Sequence, residues 1–226
     1  FIKEKQFTSN ASHEIRTPVS VIIAQCELAL ETEQNKENQK ALGTILWNAK
    51  KISQLTSQLL LLSKAEQNAD ILEREKINIS ELFEIIAEQQ QEIAKEKGLD
   101  FSYSVENSIF FHGDPALLTS ALINLFSNAI RYNKKHGKIN FSLSQGKNFI
   151  HAKISDTGIG ISEQDLPKIW ERFYQADKAR NKKEYIGFGL GLPLVKWIIE
   201  AHQGKISISS ALGKGTIARF TLPKNI

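Results

Sequence analysis

A histidine in this sequence stands among side chains that suit the transfer of a charged group. The stretch SNASHEIRTP, residues 9–18, places His13 directly before Glu14 and four residues before Thr17. A neutral imidazole is a nucleophile, and a neighbouring carboxylate can accept its proton. In a helix Thr17 shares the face of His13, and Pro18 can bend the helix because it removes one backbone hydrogen bond. The pattern predicts a reactive histidine, although a lone histidine is more often an ordinary surface residue.

Two asparagines lie on a second predicted helix, around LINLFSNAIRYNK, residues 122–134. Asn124 and Asn128 are four residues apart and share one face, with Arg131 and Tyr132 one turn later. Apolar residues fill the broad face of this helix, so the asparagines occupy the narrow polar remainder. An amide oxygen is a suitable ligand for Mg²⁺, which favours oxygen donors and nucleotide phosphates. Taken alone, a plain polar helix face remains an alternative.

A carboxylate follows a predicted strand in KISDTGIGI, residues 153–161. Gly158 and Gly160 allow the backbone after Asp156 to approach a ligand closely. A fixed carboxylate at this place can accept a hydrogen bond from an exocyclic amine such as that of adenine. A simple Asp-Gly turn is the alternative for this piece alone.

Three glycines open a helix in YIGFGLGLPLVKWII, residues 185–199. Gly187, Gly189 and Gly191 leave backbone donors free at the positive end of the helix dipole, which suits phosphate. The G-x-G-x-G spacing after a polar loop does not fit the dinucleotide fingerprint. The sequence GKGT, residues 213–216, is not a P-loop, because Ile208 stands where the first glycine is required, and it predicts a β-hairpin turn.

Two long amphipathic helices are predicted before residue 70. In the first helix the apolar residues share one face, and His13 lies on the opposite face, towards solvent. The apolar residues are Phe7, Ala11, Ile15, Val19, Ile22, Cys26 and Ala29. The second, from about residue 40 to 67, has a seven-residue repeat formed by Ile45, Ile52 and Leu59 with Leu42, Ala49 and Thr56. The polar segment 31–40 is the expected loop. One hairpin cannot bury both stripes, so we expect two chains to form a four-helix bundle.

The remainder predicts an α+β sandwich with a mixed, largely antiparallel sheet. Ser80 is the expected cap of a helix over 81–97 that Gly98 ends, and Asp114 with Pro115 starts another helix. Strands are predicted at DFSYSV, KINFSLS, FIHAKIS, GKISISS and TIARFTLP. The predicted domains are therefore a helical hairpin over 1–70 and a sandwich over 76–226.

Composition excludes several classes of protein. Lysine and arginine do not cluster with aromatic residues despite a net charge of +4, which argues against nucleic-acid binding. The single cysteine, Cys26, excludes an internal disulfide and a cysteine zinc site and fits a reducing compartment. Apolar runs such as Leu59 to Leu62 are too short to span a membrane, so no membrane contact is expected. Because the sequence starts with Phe1 and contains no methionine, we expect it to be a fragment.

The string F-x-x-N-x-S-H-E-I-R-T-P, residues 7–18, resembles the phosphoacceptor box of sensor histidine kinases. The asparagine helix, DTGIG and the glycine-opened helix follow in the order typical of their ATP-binding domain. Together they resemble a histidine kinase of the HisKA type with a nucleotide-binding domain of the gyrase, heat-shock chaperone, histidine kinase and MutL superfamily. The resemblance covers nearly the whole chain.

The resemblance implies a role for each residue. His13 is then the phosphoacceptor, Glu14 its general base, and Thr17 positions water for the reverse, phosphatase reaction. In the implied nucleotide site Asn128 holds Mg²⁺ with support from Asn124, and Arg131 contacts the phosphates. Tyr132 packs near adenine, and Asp156 binds the adenine amine. Gly158 and Gly160 shape the loop that follows Asp156. In WERFYQAD Phe173 then anchors a lid from about residue 175 to 186, and Gly187, Gly189 and Gly191 grip the phosphates. Gln175, Phe188 and Pro193 depart from the residues usual at their positions.

The implied function is ATP-dependent autophosphorylation of a histidine and transfer to an aspartate of a response regulator. The implied partners and setting are a homodimer through the hairpin, a cytoplasmic location, and an absent N-terminal sensor that anchors the full-length protein in the inner membrane. The alternatives are a nucleotide-binding scaffold without kinase activity, an ATPase of the chaperone or topoisomerase kind, and a protein in which phosphatase action dominates.

Overall fold

The computed structural model describes the backbone of residues 2–67, 72–176 and 188–224, and the side chains of residues 15–63, 72–176 and 188–224. The chain divides into two compact units, Phe1–Ile71 and Leu72–Ile226. Within the described part of the chain, no helix carries an apolar stretch long enough to cross a bilayer.

The first unit is a hairpin of two helices, α1 (Ile2–Thr32) and α2 (Lys36–Gln67). The prediction of a ten-residue loop over 31–40 was wrong, because only residues 33–35 separate the helices. Asn35 explains the short connection: its side-chain oxygen accepts from the backbone N–H groups of Glu37 (2.8 Å) and Asn38 (3.3 Å). The polar residues that suggest a loop are therefore the cap and first turn of α2.

Burial within one hairpin is incomplete. Val19 and Cys26 of α1 and Ala49 and Thr56 of α2 are buried, and α1 continues through Pro18. In contrast, four isoleucines of the predicted stripes keep 42–48% of their surface exposed; they are Ile15, Ile22, Ile45 and Ile52. Each helix thus has apolar surface that its partner in the hairpin does not cover.

The second unit is a two-layer α/β sandwich, as the strand and helix pattern predicts. Among its described residues, three helices cover one face of a five-stranded sheet of order β2-β4-β5-β7-β6, in which β2 and β4 are parallel and the other neighbours are antiparallel. The strands are β2 (Asp100–Val105), β4 (Lys138–Gln145), β5 (Phe149–Asp156), β6 (Lys205–Ala211) and β7 (Gly215–Pro223). The helices are α3 (Ile79–Glu96), α4 (Pro115–Arg131) and α5 (Gly191–Ala201).

Aromatic rings fill the space between the helices and the sheet. The ring of Phe126 on α4 lies 5.2 Å from that of Phe141 on β4 and 5.4 Å from that of Phe101 on β2, centroid to centroid. Phe83 of α3 contacts Phe141 and Phe220 at 6.3 and 6.2 Å. These edge and tilted contacts fix α3 and α4 on the sheet.

Two short strands that the sequence pattern did not indicate, β1 (Glu75–Asn78) and β3 (Phe110–Gly113), pair antiparallel beside α3. Ser80 was also wrongly predicted as the cap of α3, because Asn78 holds that position and accepts from Glu81 N. Ser80 is buried instead, and its hydroxyl donates to Glu106 O (2.6 Å) and accepts from Ile109 N (3.0 Å). Gly98 follows α3 with φ +67°, as expected.

The start of α4 rests on a buried histidine. Asp114 caps α4 through Leu117 N (3.0 Å), and its own N–H donates to His202 Nε2 (2.9 Å). The ring of His202 is fully buried, and its Nδ1 donates to Ile198 O (2.8 Å). These two hydrogen bonds require a neutral ring protonated on Nδ1, and burial lowers the pKa of His202.

This histidine predicts loss of stability in acid. The unfolded chain takes up a proton near the ordinary histidine pKa of 6.5, whereas the folded chain does so only at a lower pH. The contribution of His202 to the free energy of unfolding of the second unit should therefore be full above 6.5 and be lost as the pH falls below that value. In His202→Gln this loss should be smaller.

Urea unfolding followed by tryptophan fluorescence measures the effect in a Trp47→Phe background, because Trp170 and Trp197 both lie in the second unit. His151→Gln, at an exposed position of β5, is the matched control and should keep the wild-type dependence on pH. An unchanged pH dependence in His202→Gln would show that this ring is not the source.

Candidate nucleotide site

The polar face of α4 lies against the start of α5. Asn124 and Asn128 are both partly buried on this face, since the opposite face of α4 is packed into the core. The side-chain nitrogen of Asn124 donates to Ser120 O (2.8 Å). This hydrogen bond distinguishes the nitrogen of the amide from its oxygen, and the oxygen, Oδ1, is directed towards Gly191. A Cβ atom on Gly191 would lie 2.9 Å from that oxygen, so the glycine permits close approach.

The C-terminal end of α4 is joined to the glycine turn after β5. Tyr132 caps α4 by donating its N–H to Asn128 O (3.0 Å), and its carbonyl accepts from Ile159 N (2.9 Å). A Cβ atom on Gly158 would collide with that carbonyl, which explains the glycine. This contact brings Arg131 and Tyr132, both partly buried, next to the DTGIG turn.

Asp156 stands at the end of β5 with part of its carboxylate withdrawn from water. Its Oδ1 accepts from the backbone N–H groups of Gly158 (2.7 Å) and Thr216 (3.3 Å). Burial raises the pKa of Asp156 to about 6, although both hydrogen bonds act in the opposite direction. A carboxylate with so few partners in this setting favours a ligand that donates a hydrogen bond.

The second glycine of the turn is pressed against the hairpin between β6 and β7. Gly160 has φ +67°, and a Cβ atom there would collide with the carbonyl of Ala211. Gly213 N donates to Ile159 O (2.7 Å), and Ile161 N donates to the hydroxyl of Ser210 (2.8 Å). The GKGT segment is therefore a hairpin turn, as predicted, and it also supports the DTGIG turn.

Two left-handed residues meet in front of α5. Phe173 has φ +63° and Gly189 has φ +68°, and Phe173 N donates to Gly189 O (3.0 Å). A Cβ atom on Gly189 would lie 2.6 Å from both Phe173 C and Tyr174 O. The conformation is free of strain for glycine, but for phenylalanine it costs about 1–2 kcal/mol.

The structure thus gathers most of the residues predicted for the nucleotide site within the second unit. Asn124 meets Gly191, Tyr132 meets Gly158, and Phe173 meets Gly189. Gly187 and residues 177–186 of the predicted lid lie outside the described residues. In the first unit Thr17 is exposed on α1, and His13 and Glu14 belong to α1 with side chains outside the described set.

Two polar residues that support this region, Thr216 and Asp165, were not predicted. Thr216 donates its N–H to Asp156, and its hydroxyl lies 3.0 Å from that of Ser210. Thr216 is part of the GKGT segment, but that segment predicted only a turn and not a contact with Asp156. Asp165, which pairs with Ser162 and Tyr174, lies in a segment without periodicity, so no sequence signal pointed to it.

Comparisons with known proteins identify the family of the chain. The profile of the histidine kinase-, DNA gyrase B- and HSP90-like ATPases matches residues 113–226, and that of the His Kinase A (phospho-acceptor) domain matches residues 3–68. The chain therefore belongs to the histidine kinase family, with a phosphoacceptor domain followed by an ATPase domain.

Two relatives and one solved structure illustrate the similarity. The chain is 31% identical over 224 residues to the sensor histidine kinase RppB of Synechocystis, covering 98% of this chain and 49% of that protein. It is 33% identical over 222 residues to the sensor histidine kinase YclK of Bacillus subtilis, covering 98% and 47%. The chain spans about half the length of these relatives. The crystal structure of full-length ShkA in complex with AMPPNP shares the fold, with a TM-score of 0.79 and 24% identity over 96% of this chain and 45% of that chain.

The close approach at Gly160 predicts a stability difference between two glycines. Gly160→Ala and Gly213→Ala both place a side chain on left-handed backbone, which costs about 1 kcal/mol. Only Gly160 also has a carbonyl in the way, whereas nothing lies within 4 Å at Gly213. Urea unfolding should therefore show a loss at least about 1 kcal/mol larger for Gly160→Ala. Equal losses would mean that the turn can move away from Ala211.

Proposed function

We propose that this chain transfers the γ-phosphoryl group of ATP to His13 and then to an aspartate on the receiver domain of a response regulator. Residues 1–70 serve dimerisation and phosphotransfer, and residues 76–226 bind ATP. The observation that carries the proposal is the convergence of Asp156, the asparagines of α4 and the glycine turn before α5 in one unit, in a chain whose phosphoacceptor match includes His13.

The residues of the second unit fit a nucleotide. The partly buried Asp156 is suited to accept from the adenine amine, with Gly158 and Gly160 holding the turn around it and Tyr132 beside it. At the other end, within the part of the chain that the structure describes, the N-cap residue Leu190 makes no side-chain hydrogen bond to the first turn of α5, so the backbone donors of that turn suit phosphate. Arg131, one turn after Asn128 on α4, is the cation that we assign to the phosphates. Phe173, Gly189 and Gly191 hold the backbone before α5, and Gly187 is expected to join them.

Amide oxygens of α4 fit a magnesium ion. Asn128, with Asn124 in support, would hold the ion through the hard amide oxygen that Mg²⁺ favours. When bound, Mg²⁺ supplies charge neutralisation on the phosphates. The close approach of Asn124 to Gly191 supports this assignment, because the Asn124 amide lies beside the helix start that suits phosphate.

The chemistry follows from the side chains of α1. A neutral nitrogen of His13 attacks the γ-phosphorus in line, the bond to the β–γ bridging oxygen breaks, and ADP leaves. Glu14 accepts the proton that the imidazole loses. The phosphoryl group then passes from His13 to a carboxylate oxygen of the regulator's aspartate while the ring takes a proton back, which restores the neutral imidazole.

A homodimer through the hairpin is part of the proposal. The four isoleucines exposed at 42–48% on α1 and α2 form apolar surface that a second copy can bury in a four-helix bundle. Thr17, exposed one turn after His13, favours a second activity in which it positions water for dephosphorylation of the regulator.

Labelling tests the kinase directly. Incubation with γ-labelled ATP and Mg²⁺ should give a label that is lost in acid and retained in base, as expected for phosphohistidine. The label should vanish in His13→Gln, which should still bind ATP, and should persist in the control His151→Gln. A label that survives in His13→Gln, or that resists acid, would contradict the proposal.

The raised pKa of Asp156 predicts a pH-dependent affinity for ATP. Above about 6 the carboxylate is charged and accepts from the adenine amine, whereas below about 6 it is protonated. One unit below this pKa the affinity should have fallen by about tenfold. The Asp156→Asn variant should bind ATP weakly, and its affinity should lack this dependence on pH.

Titration with a fluorescent ATP analogue between about pH 5 and about pH 8 measures this pH dependence of the affinity. Subtracting the pH profile of Asp156→Asn from that of the wild type removes the effect of protonation of the ATP phosphates themselves. Asp100→Asn is the matched control, because Asp100 is an exposed aspartate whose carboxylate lies 3.7 Å from Lys138 Nζ. Parallel pH profiles in wild type and Asp156→Asn would exclude the role of this carboxylate.

A further inference from the structure

A carboxylate outside the nucleotide contacts holds the segment between the DTGIG turn and α5. Asp165 accepts from the hydroxyl of Ser162 through Oδ2 and from the hydroxyl of Tyr174 through Oδ1, each at 2.6 Å. Its backbone N–H in turn donates to the hydroxyl of Ser162 (3.2 Å). The hydrogen bonds from Ser162 and Tyr174 lower the pKa of Asp165, so the group is a carboxylate at neutral pH. We call these three residues the Asp165 clasp.

The Asp165 clasp lies next to the strained residue of the site. Tyr174 directly follows Phe173, whose backbone is left-handed at φ +63°. The side chain of Phe173 is 55% exposed, so burial of its ring does not hold this conformation. On one side Phe173 N donates a hydrogen bond to Gly189 O, and on the other side the hydroxyl of Tyr174 anchors its ring to Asp165.

The conformation of Phe173 is transmitted to the start of α5. Gly189 packs so closely on the backbone of Phe173 and Tyr174 that no Cβ atom fits between them. Two residues later Gly191 begins α5 against Asn124. A movement of Tyr174 therefore changes the position of the glycines before it changes the adenine end of the site, where Asp156 is held by β5 and β7.

We infer that Ser162, Asp165 and Tyr174 are positioning residues that hold Phe173 in its left-handed conformation and thereby set the glycine turn that binds the nucleotide phosphates. The inference rests on the proposed function, since it concerns the phosphate end of the same site. It assigns a role to three side chains that make no contact with the nucleotide in the proposed arrangement.

Removing one hydroxyl tests the Asp165 clasp. Tyr174→Phe in the full chain should weaken binding of ADP by about tenfold, the order of one charge-assisted hydrogen bond, and raise KM for ATP with a smaller effect on kcat. Binding of adenosine, which lacks phosphates, should stay within about twofold of wild type. A purely structural defect would weaken ADP and adenosine in equal proportion and would overturn the inference.

A matched control is available in the same unit. Tyr103 on the edge strand β2 also donates its hydroxyl to a carboxylate, that of Glu88 on α3 (3.2 Å). Tyr103→Phe therefore removes the same type of hydrogen bond away from the glycine turn and should leave both affinities unchanged. Asp165→Asn should reproduce the loss seen in Tyr174→Phe, and the two substitutions together should not add.

A glycine at position 173 tests whether the Asp165 clasp acts by holding the left-handed backbone of Phe173. Phe173→Gly accepts the left-handed backbone without steric cost, so Tyr174→Phe should weaken ADP binding less in this background than in wild type. An equal loss in both backgrounds would overturn the claim that the clasp holds the strain of Phe173. A wild-type chain that binds no ADP would remove the proposed function and this inference together, whereas wild-type binding that Tyr174→Phe leaves intact would remove the inference alone.

Discussion

The hydrogen bond from Ile159 N to the carbonyl of Tyr132 joins the two halves of the proposed nucleotide site. On one side of it α4 brings its asparagines, and on the other β5 brings Asp156. The bond forms only because Gly158 leaves room for the carbonyl. A side chain at this position would separate the helix from the turn, and with it the asparagines of α4 from Asp156.

The core determines which face of each element is available to this site. The rings around Phe126 and the apolar face of α4 are buried against the sheet, so Asn124 and Asn128 are directed away from the core. The buried hydrogen bond between Asp114 and His202 fixes the opposite end of α4, because both ring nitrogens of His202 take part in hydrogen bonds. The nucleotide site thus lies on a rigid scaffold, and the strained residue Phe173 lies at its edge, where a few polar contacts have to hold it.

The first unit has the opposite character. Its helices are long and regular, but a single hairpin leaves isoleucines of both stripes exposed. Apolar surface of this kind is typical of a helix pair that completes its core with a second copy. The polar connection of residues 33–35 is compact because Asn35 caps α2 directly.

The sequence by itself determined the features that depend on local pattern. Periodicity located both long helices and all five strands of the main sheet, Asp114 and Pro115 located the start of α4, and the order of the motifs indicated the histidine kinase family. Tertiary structure decided whatever depends on a partner distant in the chain. Asn78 rather than Ser80 caps α3 because the Ser80 hydroxyl is used by Glu106 and Ile109. The strands β1 and β3 exist because they pair with each other. Thr216 supports Asp156 from 60 residues away, and the left-handed backbone of Phe173 is stable only because Gly189 and Tyr174 lie beside it. Such contacts leave no periodic signal, since the distance between the two partners along the chain is set by the fold and not by the repeat of a helix or a strand.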